Sequence, residues 1–185
     1  MRMLLLTALV LGAAPVAPGV RAAAPGGEQA AAPADRQPRA TVELLADQAA
    51  VVPGRPLTLA LRFRIEKGWH IYWRNPGESG MAPSVKWRLP PGFRAGPLRF
   101  PPPRRERSPA GDSYVLDGEP VLLVDLDVPD SLSPGQSIEI AGLAQWLVCR
   151  EACVLEKQEI SLRLPVQDRN TPSRPANESL FRRAR

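Results

Sequence analysis

The sequence is poor in the residues on which most site chemistry depends. Its 185 residues include two cysteines, one histidine and, among 24 basic residues, only three lysines, Lys67, Lys86 and Lys157. Two thiolates cannot make up a four-ligand zinc site. A papain-like Cys–His hydrolase would need a third orienting residue and a much larger scaffold. The basic residues are scattered arginines rather than a patch interleaved with aromatics, which argues against nucleic-acid binding.

The sequence also lacks the apolar patterns of a long helix and of a membrane span. No stretch keeps a 3.6-residue apolar period, and 22 prolines leave little room for helices. The apolar run near the N-terminus is too short for a stable span. It follows Arg2 and precedes small residues at Ala22 and Ala24, so residues 1–24 are predicted to be a secretory signal peptide. Export places a chain where disulfides can form.

Composition divides the rest of the chain into three parts. Residues 25–39, rich in Ala, Pro and Gly, are predicted to be a flexible linker. Residues 40–166 have the usual size of one domain. Residues 167–185 turn polar, and we expect either a disordered terminus or the lead into a further segment.

The domain is strand-like almost throughout. Apolar and polar residues alternate over 56–65, 119–128 and 158–166, the period of a sheet with one buried face. Further strands are predicted at 41–45, 84–89 and 137–148. Pro-Gly clusters between the runs, among them Asn75-Pro76-Gly77, are predicted to be turns. Short strands separated by such turns predict an all-β fold, a single immunoglobulin-like antiparallel β-sandwich.

The two cysteines, Cys149 and Cys153, are separated by only three residues. A disulfide closing so small a ring contributes about 2 kcal/mol, against about 4.7 kcal/mol for a hundred-residue loop. Four steps of extended strand cover about 13 Å, whereas bridged cysteines need Cα atoms within about 7 Å. A bond therefore requires residues 150–152 to fold back as a tight hairpin or one helical turn. The spacing suits a pair that opens and closes, or one that grips a soft metal.

Three segments carry a resemblance to a known family. They are Gly68-Trp-His-Ile-Tyr-Trp-Arg-Asn-Pro-Gly-Glu-Ser-Gly80, Pro83-Ser-Val-Lys-Trp-Arg-Leu-Pro90 and Trp146-Leu-Val-Cys-Arg-Glu-Ala-Cys153. Together they resemble the N-terminal periplasmic domain of the thiol:disulfide interchange protein DsbD, in the branch that includes the copper-sensitivity protein ScsB. The resemblance covers about residues 40–166, and the Gly-Trp-His-x-Tyr-Trp-x-Asn-Pro-Gly run is its specific part.

The resemblance implies a periplasmic immunoglobulin-like domain with a redox cysteine pair. Such a module receives electrons from a membrane electron-transfer protein through a thioredoxin-like domain, and it reduces periplasmic thiol oxidoreductases. By resemblance, Cys153 is the more exposed member that forms the mixed disulfide, and Cys149 is the resolving partner. The better-studied DsbD branch spaces its cysteines more widely and covers them with an aromatic cap loop. The counterpart of that loop lies near Asp112-Ser-Tyr114, which makes Tyr114 the expected cap residue.

The remaining candidates keep two interpretations each. Trp146 is expected either to shield the pair or to be an ordinary core tryptophan. His70 is expected to satisfy buried backbone groups, ahead of a role as general base or metal ligand. Trp69, Tyr72 and Trp73 are expected to fill the core or its rim, ahead of partner binding. No cofactor is expected.

Three functions remain open at this point. The first is thiol–disulfide exchange. The second is Cu(I) binding by Cys149 and Cys153 in copper tolerance, because two thiolates can hold a soft ion. The third is an immunoglobulin-like adaptor whose disulfide only pins a turn.

Overall fold

The computed structural model describes residues 37–108 and 111–185. The expected signal peptide and most of the expected linker lie outside the described residues. Within them, alternating apolar residues form strands, and one short helix follows. The elements are β1 (Ala40–Ala46), β2 (Leu57–Ile65), β3 (His70–Gly77), β4 (Ser84–Arg88), β5 (Arg94–Ala95), β6 (Arg104–Ser108), β7 (Gly111–Leu116), β8 (Val121–Asp127), β9 (Ser137–Cys149), β10 (Cys153–Pro165) and α1 (Glu178–Ala184).

The strands form two sheets of antiparallel pairs. The first has the order β1-β2-β8-β5, and the second runs β10-β9-β3-β7-β6, with β4 also paired to β9. One edge of the long strand β9 is shared: residues 141–145 pair with β4, and Val148 and Cys149 pair with the start of β3. The expected immunoglobulin-like antiparallel β-sandwich is therefore confirmed.

The core lies between the two sheets. Because side chains alternate along a strand, every second residue of β2, β8 and β9 points inward. These inward side chains are almost completely buried, and they include Leu59, Leu61, Phe63, Leu122, Val124, Leu126, Ile140, Trp146 and Val148. The main force that holds the two sheets together is the burial of apolar surface away from water. Each Å² buried contributes about 25 cal/mol.

The structure corrects the turn predicted at Asn75-Pro76-Gly77, because these residues form the end of β3. Pairing with β7 is irregular here, with a register shift between Tyr72 and Gly77. Gly77 has a φ of 95°, and a Cβ there would lie 2.2 Å from the carbonyl oxygen of Asp112. Glycine at this position thus lets β7 approach and the strand continue past the irregularity.

Residues 167–185 pack on the sandwich, in contrast to the disordered terminus considered above. Leu180 and Phe181 of α1 are buried against Ala60 and Leu123, on the outer face of the first sheet. Residues 37–185 therefore form one compact unit. In this part of the chain no helix has the length and apolar character needed to cross a membrane.

Candidate functional site

The cysteine pair joins the two strands of the β9–β10 hairpin. Cys149 ends β9, Cys153 begins β10, and the two residues are paired in the strand register. Their Cα atoms are 4.1 Å apart and their sulfurs are bonded. In the connecting turn, the N–H of Arg150 donates to the carbonyl of Ala152 at 3.3 Å. Of the two geometries that the spacing allows, the hairpin is the one present.

The two cysteines differ in exposure. Cys149 is 3% exposed and packs with Tyr72 and Val115. Cys153 is exposed, at the turn end of the hairpin. Beside it, Leu155 is 51% exposed, which is unusual for a large apolar side chain. Thiol–disulfide exchange requires access to the attacked sulfur, and Cys153 is the more exposed residue of the pair.

Tyr72 covers the cysteine pair from β3. It is 5% exposed, and its hydroxyl lies 4.0 Å from Sγ of Cys153. Gly80, in the loop after β3, crosses the ring so closely that a Cβ there would lie 2.3 Å from a ring carbon. Burial raises the pKa of the Tyr72 hydroxyl above its usual 10.0, and the Glu106 carboxylate raises it further. The hydroxyl therefore stays protonated at neutral pH and can donate to the Cys153 sulfur.

His70 begins β3 and is paired with Cys149 in the register of β3 and β9. Its side chain is 12% exposed, and Nδ1 lies 3.4 Å from a carboxylate oxygen of Glu106. Its ring meets the Tyr72 ring edge to face, with centroids 5.4 Å apart. Burial lowers the pKa of His70 below its usual 6.5, while Glu106 opposes that shift. The polar partner of the imidazole is a carboxylate, instead of the buried backbone group expected.

Trp69 links the cysteine turn to the start of β3. The guanidinium groups of Arg39 and Arg150 each lie 5.2 Å from the centre of its ring. The ring is 9% exposed and packs against the sandwich core. Such a cation–π contact contributes about 0.5–1 kcal/mol near a surface. Because Arg150 lies between the two cysteines, this stacking helps to hold the turn in place.

Trp146 lies in the core between the sheets. It is 1% exposed, its ring meets Phe63 edge to face at 5.2 Å, and Nε1 donates to Glu156 at 3.2 Å. Because successive side chains of a strand point to opposite faces, Trp146 and Cys149 lie on opposite faces of β9. This placement favours the core role of Trp146 over the shielding role.

Tyr114 packs against Trp73, with ring centroids 6.2 Å apart. The indole N–H of Trp73 in turn donates to the carbonyl of Pro101 at 2.8 Å. The next residue of β7, Val115, packs with Cys149, so the Tyr114 side chain leaves the strand on the other face. The cover over the pair is therefore Tyr72 rather than the expected Tyr114. The local sequence around the cysteines holds no signal for this contact, which joins strands that are far apart in the chain.

Metal binding depends on the same two sulfurs. No group of three or more His, Cys, Asp or Glu side chains able to hold a metal ion occurs within residues 37–108 and 111–185. With the two sulfurs bonded to each other, a soft ion would require the reduced pair. Cu(I) binding by Cys149 and Cys153 thus stays a hypothesis.

Solved structures with a similar fold include two periplasmic or DsbD-type N-terminal domains. The N-terminal periplasmic domain of ScsB from Proteus mirabilis matches with a TM-score of 0.57 and 23% identity, over 80% of this chain and 53% of that one. This chain thus spans about half the length of that structure. The DsbD N-terminal domain of Neisseria meningitidis, in its reduced form, matches with a TM-score of 0.40 and 14% identity, over 74% of this chain and 90% of that one. A comparison with curated protein sequences returns no match.

The family assignment comes from the sequence match. The family model described as thiol:disulfide interchange protein DsbD, N-terminal, matches residues 41–165. That range runs from β1 to the end of β10 and contains the whole cysteine hairpin. A disulfide between two adjacent strand ends, with one of its two cysteines exposed, fits a role in thiol–disulfide interchange. The chain therefore belongs to the family of DsbD N-terminal domains.

Proposed function

We propose that this protein is a periplasmic thiol–disulfide exchange module that relays reducing equivalents through Cys149 and Cys153. The observation that carries the proposal is the unequal burial of two disulfide-bonded cysteines at the end of one hairpin. A structural role explains the bond poorly, because so small a ring restricts the unfolded chain little. An exposed sulfur backed by a buried one is the arrangement that a two-step exchange needs.

Exchange proceeds in two steps. In the reduced domain, the Cys153 thiolate attacks a sulfur of the partner's disulfide, and the partner's other sulfur leaves as a thiolate that takes up a proton. The Cys149 thiolate then attacks Sγ of Cys153 and expels the partner's remaining sulfur as a second thiolate. The domain ends with the Cys149–Cys153 disulfide, and the partner has gained two electrons and two protons.

The family and the surface beside the pair support the proposed partners. The proposed recipients are periplasmic thiol oxidoreductases, and the proposed donor is a thioredoxin-like domain supplied by a membrane electron-transfer protein. Val154 and Leu155, 37% and 51% exposed, adjoin Cys153 and supply apolar surface on which such a domain can dock. The proposed location in the periplasm rests on the signal peptide expected over residues 1–24 and on the family.

The reduction potential of the pair tests this function. The protein is equilibrated in graded glutathione or dithiothreitol buffers, its thiols are trapped, and the products are weighed by mass spectrometry. We expect a reversible transition between about −180 and −270 mV, the span of known exchange proteins. A pair that resists reduction to below about −300 mV would instead mark a structural bond and favour the adaptor function.

Single-cysteine variants supply the matched controls. Cys149→Ser should accumulate a mixed disulfide with glutathione on Cys153, because the resolving thiol is gone. Cys153→Ser should accumulate little, because Cys149 is buried. Equal trapping by the two variants would contradict the assigned roles.

A further inference from the structure

His70 is a titratable group that adjoins the cysteine pair and has no part in the two steps above. It is paired with Cys149 in the antiparallel register of β3 and β9. Directly opposed residues of such a pair have Cβ atoms about 4.5–5.5 Å apart, with their side chains on the same face. The imidazole therefore lies next to the position that the Cys149 thiol occupies in the reduced protein.

Cys149 must lose its thiol proton inside the protein, whereas Cys153 can lose its proton at the surface. Cys149 must become a thiolate before it can attack Cys153, yet it is 3% exposed and packs with Tyr72 and Val115. Burial in apolar surroundings disfavours a thiolate and also keeps out the water that would take the proton. A base supplied by the protein removes this barrier.

The charged surroundings of His70 fit such a base. Glu106, with Nδ1 at 3.4 Å, and Arg104 reach it from β6, and Asp117 follows β7. Tyr72 of its own strand lies against the ring and stays protonated. A proton on Nδ1 faces the Glu106 carboxylate, which leaves Nε2 as the basic atom. Because burial lowers the pKa of His70, the ring is neutral, and able to accept a proton, at neutral pH.

A route for the proton to solvent is also present. His70, Arg104, Glu106 and Asp117 line a surface cleft beside the start of β3. Cys149 has no comparable exposure of its own. The imidazole thus lies between a buried sulfur and an open cleft, the position that a proton carrier needs.

We propose that His70 is the general base of the resolving step, which rests on the exchange function proposed above. Nε2 takes the proton from the Cys149 thiol, and the resulting thiolate attacks Sγ of Cys153. The Cys149–Cys153 bond forms, the Cys153–partner bond breaks, and the partner's sulfur leaves as a thiolate that takes a proton from solvent. The imidazolium then releases its proton into the cleft. One proton leaves the domain in this step, and reduction of the partner's second sulfur completes its gain of two electrons over the two steps.

One experiment measures the rates of the two steps separately, with the aromatic disulfide dithiobis(nitrobenzoate) as the probe. Reduced protein is mixed with the probe, and release of coloured thionitrobenzoate is followed by stopped-flow absorbance. The first release, by attack from Cys153, depends on the probe concentration. The second release, by attack from Cys149 on the mixed disulfide, does not. At high probe concentration the second phase alone reports the resolving step.

We expect His70→Gln to slow the second phase at neutral pH by about 10²-fold, the lower end of general-base effects. The rate of the first phase should change little. The pH profile separates a base from a structural residue: the wild-type second phase should be nearly flat above neutral pH, whereas the variant's should rise with the thiolate fraction. The two rates should therefore converge as the pH approaches the pKa of the thiol.

Glu106→Gln is the companion variant, which also serves if His70→Gln does not fold. It keeps the imidazole but removes a charge that raises the pKa of His70, so the acid limb of the second phase should move to lower pH. Two results would overturn the proposal for His70 and leave the exchange function standing. One is a Glu106→Gln variant whose acid limb stays at the wild-type pH, and the other is a His70→Gln variant with the wild-type rate and pH profile. A wild-type protein that releases no thionitrobenzoate in a second phase would overturn both.

Discussion

The Gly80→Ala substitution tests the close contact between Gly80 and the Tyr72 ring, because alanine adds only a Cβ atom. Gly80 has a φ of 106°, and an alanine Cβ there would lie 2.3, 2.4 and 2.6 Å from three atoms of the ring. Either the loop or the buried ring must therefore move. Backbone strain of this kind costs about 1–3 kcal/mol, and overpacking against a buried side chain costs about 1–3 kcal/mol more. We expect Gly80→Ala to lower the free energy of unfolding by about 2–6 kcal/mol.

Gly135→Ala is the matched control for backbone strain. Gly135 also has a positive φ, 83°, but a Cβ there would meet nothing within 4 Å. The control keeps the conformational penalty without the steric overlap, so it should cost only about 1–3 kcal/mol. Urea unfolding of both oxidised variants measures the difference, which we assign to the contact with Tyr72.

Thiol reactivity supplies the second measurement, because a displaced Tyr72 uncovers Cys149. In a Cys153→Ser background, alkylation of reduced Cys149 by iodoacetamide should be faster with Gly80→Ala than with Gly135→Ala. If the two variants unfold with equal free energies and their Cys149 thiols react at equal rates, the loop does not hold Tyr72 over the pair, and the reasoning is refuted.

Two further predictions concern the core and the pH dependence of stability. Trp146→Ala should lower the free energy of unfolding by about 3–5 kcal/mol in urea titrations, with little change in the reduction potential; a shifted potential without lost stability would favour the shielding role. The pKa of His70 lies below its usual 6.5, so as the pH falls the unfolded chain binds this proton first. The stability that His70 contributes is therefore complete above about pH 6.5 and is lost below it. In urea titrations at stepped pH, the His70→Gln variant should lose less free energy of unfolding over that window than the wild type. Equal losses in the two proteins would contradict a His70 that is buried and neutral.

The strands that sequence reasoning identified are those with regular alternation. β1, β2, β4, β8, β9 and β10 were all predicted within a few residues, except that β10 begins earlier, at Cys153. Two of the strands it missed, β3 and β6, lack that regular alternation. β3 ends in Asn75-Pro76-Gly77 with an irregular register, and the side chains of β6 whose burial the structure describes are polar and exposed or half-buried. β6 therefore owes its conformation to pairing with β7 rather than to a buried face of its own.

The C-terminal helix was missed for a related reason. Seven residues are too few for a helical period to show, and so short a helix is unstable alone. Its stability comes from burying Leu180 and Phe181 against Ala60 and Leu123. That site exists only after β2 and β8 have paired, so a polar segment was expected where the structure has a packed one.

The sequence by itself determined what depends on neighbours along the chain. For a bonded pair, the three-residue separation of Cys149 and Cys153 already requires a sharp reversal, and alternation already requires a sheet with one buried face. The family resemblance had already implied that Cys149 is the less exposed cysteine. Only the tertiary structure decided that Tyr72 rather than Tyr114 covers the pair and that His70 lies beside Cys149. These contacts join strands far apart in the chain, and their geometry follows from how β3, β7 and β9 pair, which no local pattern encodes.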